Sequence, residues 1–104
     1  MTNDKKINED DLKVLHLVHN NPKISQRGIA EQMGFSLGKV NYCIKALTEV
    51  GFIICKSFLN HKNKAGYLYL LTPKGVSEKT ALTKRFLQNK QLEYEKLYNY
   101  FHEK

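Results

Sequence analysis

The chain has 104 residues and a mass of 12.1 kDa, enough for one small domain. Apolar residues make up 41% and charged residues 26%, a globular composition, and seventeen Lys and Arg against ten Asp and Glu leave a net charge of +7. No run approaches the ~18 apolar residues of a membrane span, and the polar start Met1-Thr-Asn-Asp-Lys-Lys6 has no signal-peptide core. Two cysteines, Cys43 and Cys55, are too few for a disulfide scaffold, so a secreted miniprotein and a membrane protein are excluded and a reducing cytoplasm is expected.

The charge is uneven. Residues 1–11 carry two Lys against four acids, a net −2, whereas residues 12–72 carry eight basic against two acidic side chains, a net +6. Residues 73–104 carry seven against four, a net +3. A basic middle behind an acidic leader suggests a polyanionic partner, most often nucleic acid.

Three helices are predicted in succession. In the first, Leu12, Leu15 and Val18 or His19 repeat at helical spacing. Asn8 is placed to cap it, and Glu9, Asp10 and Asp11 suit the positive end of the helix dipole. Asn20-Asn21-Pro22 ends it. The second runs from a Ser25 cap to Met33, with Ile29, Ala30 and Met33 inward and Gly34 closing it in the left-handed conformation. Gly28 inside it costs roughly 1 kcal/mol relative to Ala, where a better helix former is expected. The third spans Ser36–Val50 and stops at Gly51. Val40, Cys43, Ile44 and Leu47 make its apolar stripe, and Lys39, Asn41, Tyr42 and Lys45 fall largely outside it.

After Gly51 the period changes. Phe52–Phe58 and Tyr67–Thr72 are rich in β-branched and aromatic residues and have strand length. The polar turn formers of 60–66 between them make a hairpin with a basic tip. Thr72-Pro73 then starts a helix that can run to Lys104. The fold class is mainly α with a small β-hairpin wing (α+β): a winged helix-turn-helix over 8–72, followed by a C-terminal dimerisation helix over 73–104.

Such a unit binds double-stranded DNA for geometric reasons. Its second motif helix fits the major groove and meets base edges with its N-terminal residues, while the preceding helix crosses the backbone. Lys39 is then a guanine or phosphate donor, Asn41 an amide able to pair with adenine, and Tyr42 a ring for thymine methyl or sugar contact. Ser36 opens that helix, and Gly38 lets it approach a groove wall. Ser25, Arg27, Lys45 and the hairpin-tip residues Lys62 and Lys64 are candidate phosphate contacts. Tyr42 packing on the neighbouring helix, and Lys39 and Lys45 as plain solvated charges, are the competing readings.

The runs Ile24–Ala30, Ser36-Leu-Gly-Lys-Val-Asn-Tyr-Cys-Ile-Lys-Ala-Leu47 and Asn63-Lys-Ala-Gly-Tyr-Leu-Tyr-Leu-Leu-Thr-Pro-Lys-Gly75 resemble the small MarR-type regulators associated with exopolysaccharide (EPS) gene clusters. The resemblance covers roughly residues 10–100. It implies a winged-helix DNA-binding regulator of polysaccharide-associated genes, with Ser36, Lys39, Asn41 and Tyr42 facing the groove. Larger MarR proteins have an additional N-terminal helix that helps frame a pocket for small phenolic ligands. Only a few residues precede Asn8 here, so a pocket of that kind is not expected and a small-molecule effector is left open.

Other chemistry has little support. His16 and His19 stand at i, i+3, but no Cys pair or carboxylate accompanies them at metal-ligand spacing, so neither a metal nor a cofactor is expected. Cys43 and Cys55 read as small core residues rather than a redox pair. No phosphate-cradling Gly-rich loop or Ser-His-Asp arrangement points to an enzyme. The second function class is a winged helix used as a protein-interaction module, against which Arg27, Lys39, Lys62 and Lys64 argue. Finally, Leu87, Tyr94, Leu97, Tyr98 and Phe101 align on one side of the last helix, which predicts a homodimer through that stripe.

Overall fold

The computed structural model describes residues 7–59 and 65–103. Its elements are α1 (Glu9–Asn20), α2 (Gln26–Met33), α3 (Leu37–Glu49), β1 (Ile53–Leu59), β2 (Ala65–Leu71) and α4 (Pro73–His102). This is a mainly helical winged helix-turn-helix with a two-stranded wing and a long C-terminal helix, as the sequence leads one to expect.

Each of the first three helices starts on a side-chain cap. Asn8 Oδ1 accepts from the Asp11 amide at 2.8 Å, and Asp11 Oδ2 accepts from the Asn8 amide at 3.1 Å, a reciprocal box. Ser25 Oγ accepts from Gly28 N at 2.9 Å, and Ser36 Oγ from Lys39 N at 3.1 Å. Gly34 and Gly51, with φ of 69° and 80°, turn the chain out of α2 and α3. Gly28 has a packing reason that propensity hides. A Cβ there would stand 3.0 Å from Cγ1 of the buried Ile24, so its absence lets α2 settle on that side chain.

The core lies where the helices and the root of the wing meet: Val14, Leu15 and Val18 of α1, Ile29 of α2, Val40, Ile44 and Leu47 of α3, then Phe52, Ile53, Tyr69 and Leu82. In α1 the open choice falls to Val18, since His19 is exposed. The acidic triplet does more than feed the helix dipole. Glu9 reaches Lys90 of α4 at 3.3 Å, Asp10 reaches Lys39 of α3 at 2.8 Å, and Asp11 is buried beneath the cap.

β1 and β2 pair antiparallel, with Ile53 opposite Leu71 and Cys55 opposite Tyr69. The ladder extends to Leu59–Ala65, so Ala65 and Gly66, expected in the turn, already belong to β2. The wing is tied to the helices by its backbone, because Tyr69 N donates to Pro22 O at 2.9 Å.

α4 is seated on the turn between α3 and β1. Thr72 N donates to Phe52 O at 3.0 Å, Thr72 Oγ1 donates to Gly51 O at 2.5 Å, and the same hydroxyl accepts from Gly75 N at 3.0 Å. Gly75 lies against the Phe52 carbonyl so closely that a Cβ would overlap its oxygen. Further along, Thr83 Oγ1 gives its proton to Lys79 O at 2.6 Å, so His16 Nε2, 2.9 Å away, must be the donor to Thr83. Burial first, then the nearby Lys79 and His19, hold the His16 pKa below 6.5, which keeps the ring neutral at pH 7. Past Lys90 the helix leaves the core, and the molecule measures 66 × 33 × 23 Å.

Two glycine substitutions should behave oppositely. Gly75→Ala must push α4 off the Phe52 backbone and is expected to cost about 2–4 kcal/mol. A Cβ at Gly38 meets nothing within 4 Å, so Gly38→Ala is expected to stabilise by up to about 1 kcal/mol. Urea denaturation of the two variants beside the wild-type chain measures both.

Candidate nucleic-acid interface

α3 buries Val40, Cys43, Ile44 and Leu47, and the opposite side faces solvent. At 100° per residue, Gly38, Asn41, Tyr42 and Lys45 lie on that outer side. Tyr42 is 58% exposed, which places its ring on the surface rather than beneath a neighbouring helix. Ser36 is exposed at the cap. Lys39 sits apart from this group, on the flank towards α1. Its ammonium pairs with Asp10 at 2.8 Å and stands 4.1 Å from the centre of the Phe35 ring.

The N-terminus of α2 adds exposed Ser25 and Arg27 beside this face. Lys62 and Lys64 lie outside the described residues. Between α2, α3 and the wing runs an open cleft of about 680 Å³, whose walls include Arg27, Leu37, Ile44, Cys55, Tyr67 and Tyr69. Leu37 is half exposed there although the sequence shows no reason to single it out.

Three polar side chains form a line, two of which, Gln26 and Tyr69, line this cleft. Asn41 Nδ2 donates to Gln26 Oε1 at 3.4 Å, and Gln26 Nε2 donates to the Tyr69 hydroxyl at 3.5 Å. Tyr69 is only 2% exposed, and burial raises its pKa, so the hydroxyl stays protonated. Sequence reasoning missed Gln26 and Tyr69. The one signal for Gln26 was its place directly after the Ser25 cap, in the first turn of the helix that precedes α3.

The two cysteines differ. Cys43 is buried, as expected of a small core residue, and burial together with the Asp11 and Asp10 carboxylates pushes its pKa up to about 12. Cys55, expected in the core, is exposed instead. It lines the cleft between α2, α3 and the wing, although its cross-strand partner Tyr69 is buried. His16 serves the α1–α4 contact, and among the described residues no group of three or more His, Cys, Asp or Glu is arranged to hold a metal ion. No helix among them is long and apolar enough to cross a membrane.

On α4, Leu87, Tyr94, Leu97, Tyr98 and Phe101 are all exposed, Phe101 to 83%. The Tyr94 and Tyr98 ring centres are 6.1 Å apart, and Tyr98 stacks on His102 at 4.2 Å. Leu92 and Tyr100 are exposed too, but on other sides of the helix.

Capped helices, an outward polar face on α3 and a wing tied to the helix-turn-helix define a winged helix-turn-helix fold, and residues 7–54 match the family model described as winged helix-turn-helix DNA-binding. The whole fold, α4 included, is shared with several solved structures. The PcaV transcriptional regulator from Streptomyces coelicolor, solved with its natural ligand, superposes with a TM-score of 0.69 at 18% identity, over 85% of this chain and 61% of that one. Streptococcus pneumoniae FabT in complex with DNA gives 0.61 at 17% identity, over 91% and 64%. MarR gives 0.67 at 19% identity, over 85% and 63%. The chain thus spans less than two thirds of the length of each of these proteins. No curated protein matches it significantly in sequence.

The thiols give a direct check on this surface. Iodoacetamide at pH 8 should label Cys55 first and leave Cys43 unmodified until the chain unfolds, because a thiol with a pKa of about 12 is almost wholly protonated there. Peptide mass spectrometry over a time course reads the order.

Proposed function

We propose that the chain is a MarR-type transcriptional regulator that binds specific sequences of double-stranded DNA with α3 in the major groove. The observation that carries this reading is the outward face of α3, where Asn41, Tyr42 and Lys45 stand exposed on a capped helix beside Arg27. Asn41 and Tyr42 supply base contacts, with Ser36 at the helix start. Ser25, Arg27 and Lys45 supply phosphate contacts, together with Lys62 and Lys64 on charge grounds. Lys39 joins by exchanging Asp10 for DNA. That exchange costs little, because the pair is about half exposed and such pairs contribute ~1 kcal/mol or less. The likeness of the Ser36–Leu47 and Tyr67–Gly75 stretches to regulators of exopolysaccharide gene clusters supports polysaccharide-associated genes as targets, and a cytoplasmic setting goes with that role.

The same reading includes a homodimer formed through α4. Its distal half presents Leu87, Tyr94, Leu97, Tyr98 and Phe101 to solvent in a single chain, an apolar face that a two-fold partner would cover with the same residues. Two α3 helices about one DNA turn apart, ~34 Å, then suit an inverted-repeat operator.

On a selected operator, Asn41→Ala and Tyr42→Ala are expected to cost about 1–3 kcal/mol of sequence discrimination each. Arg27→Ala and Lys45→Ala should weaken all DNA alike. Each should also flatten log K against log salt by up to about 0.9, the share of one neutralised phosphate. Fluorescence anisotropy across a salt series separates the two behaviours. A protein-interaction module would show neither the preference nor the steep salt slope. In sedimentation the full chain should be dimeric at tens of micromolar and a chain ending at Arg85 monomeric, with weaker operator binding; a monomeric full chain that binds as tightly would overturn the dimer.

A further inference from the structure

The line Asn41–Gln26–Tyr69 joins three elements, α3, α2 and β2, and its hydrogen-bond directions have a consequence for what Asn41 can present. An asparagine amide offers two N–H donors and one carbonyl acceptor, and nothing intrinsic decides which end points outward. Here Gln26 Oε1 takes one Nδ2 proton. What remains facing solvent is the second Nδ2 proton and Oδ1, a donor beside an acceptor. That pair complements N7 and the N6 amino group of adenine in the major groove.

Gln26 is anchored from its other side by Tyr69. The Tyr69 ring is buried to 2% exposure, and its backbone N–H is bound to Pro22 O at 2.9 Å, so its hydroxyl occupies a determined point. By accepting from Gln26 Nε2, it turns Gln26 Oε1 towards Asn41. We infer that Gln26 and Tyr69 are positioning residues which pre-set the Asn41 amide for adenine. The wing thereby contributes to base preference from its root, through a side chain that touches no DNA. Ordering the amide before binding removes a conformational cost from the matched complex and leaves an unpaired group in the mismatched one.

This inference rests on the groove reading of α3, and its test separates the two. Wild-type protein is used to select preferred duplexes from a random pool, and binding is then measured on the selected duplex and on versions with each base pair changed. Asn41→Ala is expected to lose about tenfold of the preference for adenine at one base pair. Tyr69→Phe, which removes one buried hydroxyl and keeps the ring, should lose roughly threefold at that same base pair and at no other. Its affinity for non-specific duplex and its salt slope should stay those of the wild type. Gln26→Ala should act at the same base pair, and Gln26→Ala combined with Asn41→Ala should be no worse there than Asn41→Ala alone. If Asn41→Ala loses its base pair while Tyr69→Phe and Gln26→Ala keep theirs, the positioning role is overturned and the groove reading stands. A wild-type chain with no preferred sequence, or an Asn41→Ala variant with preference intact, overturns both.

Discussion

The contact on which the rest of the molecule depends is between the first turn of α4 and the backbone at Phe52. One carbonyl, Phe52 O, receives the Thr72 amide and abuts Gly75, while the Thr72 hydroxyl closes on Gly51 O and caps the helix. The Phe52 side chain is itself in the core, and Ile53, the next residue, opens the wing. So the end of α3, the start of the wing and the start of α4 are fixed to each other within a few residues. Polar groups that would otherwise be left unpaired at a helix end are satisfied there by backbone and by one hydroxyl. The position tolerates no side chain because backbone, not a yielding side chain, fills the space.

A second layer of ties orients the outer faces. Glu9, Asp10 and Asp11 follow one another in sequence, and successive helix positions point about 100° apart. That spread sends Glu9 to α4, Asp10 to α3 and Asp11 into the cap. The pairs at Glu9 and Asp10 are partly exposed, so they add little to stability and more to orientation. The Asp11 carboxylate is the exception. It is 2% exposed, and its Oδ1 has no hydrogen-bond partner among the described residues, an arrangement whose cost is offset in part by the amide bound to Oδ2.

Much of this architecture is legible in the sequence because it is local. Asn8, Ser25, Ser36 and Thr72 cap helices through bonds to residues three positions on, and Gly34 and Gly51 adopt the positive φ that ends a helix. The apolar stripe of α3 is a matter of period. What the sequence hides is mostly long-range. The contact of Gly75 with Phe52 spans 23 positions, and that of Gln26 with Tyr69 spans 43. Period alone says that Lys39 lies outside the stripe, but only the packing of α1 on α3 turns it to Asp10. Cys55 misleads for a related reason. Ile54 before it and Tyr69 opposite it are apolar, yet Cys55 lines the cleft formed with α2 and α3, a long-range arrangement that no local pattern records.

The seat of α4 also makes the helix a lever. Its pivot is the first turn, where Gly75 rests on Phe52, and its root is held by Leu82 and by the His16–Thr83 bond. From Gly75 to Phe101 the rod is about 39 Å long, so a tilt of about ten degrees at the pivot moves the far end by roughly 7 Å. The ratio works in the other direction as well. Whatever grips the last turns of α4 at a fixed point holds the angle of the winged head with the same mechanical advantage, and a displacement of about an ångström at Phe101 turns that head by only about 1.5 degrees.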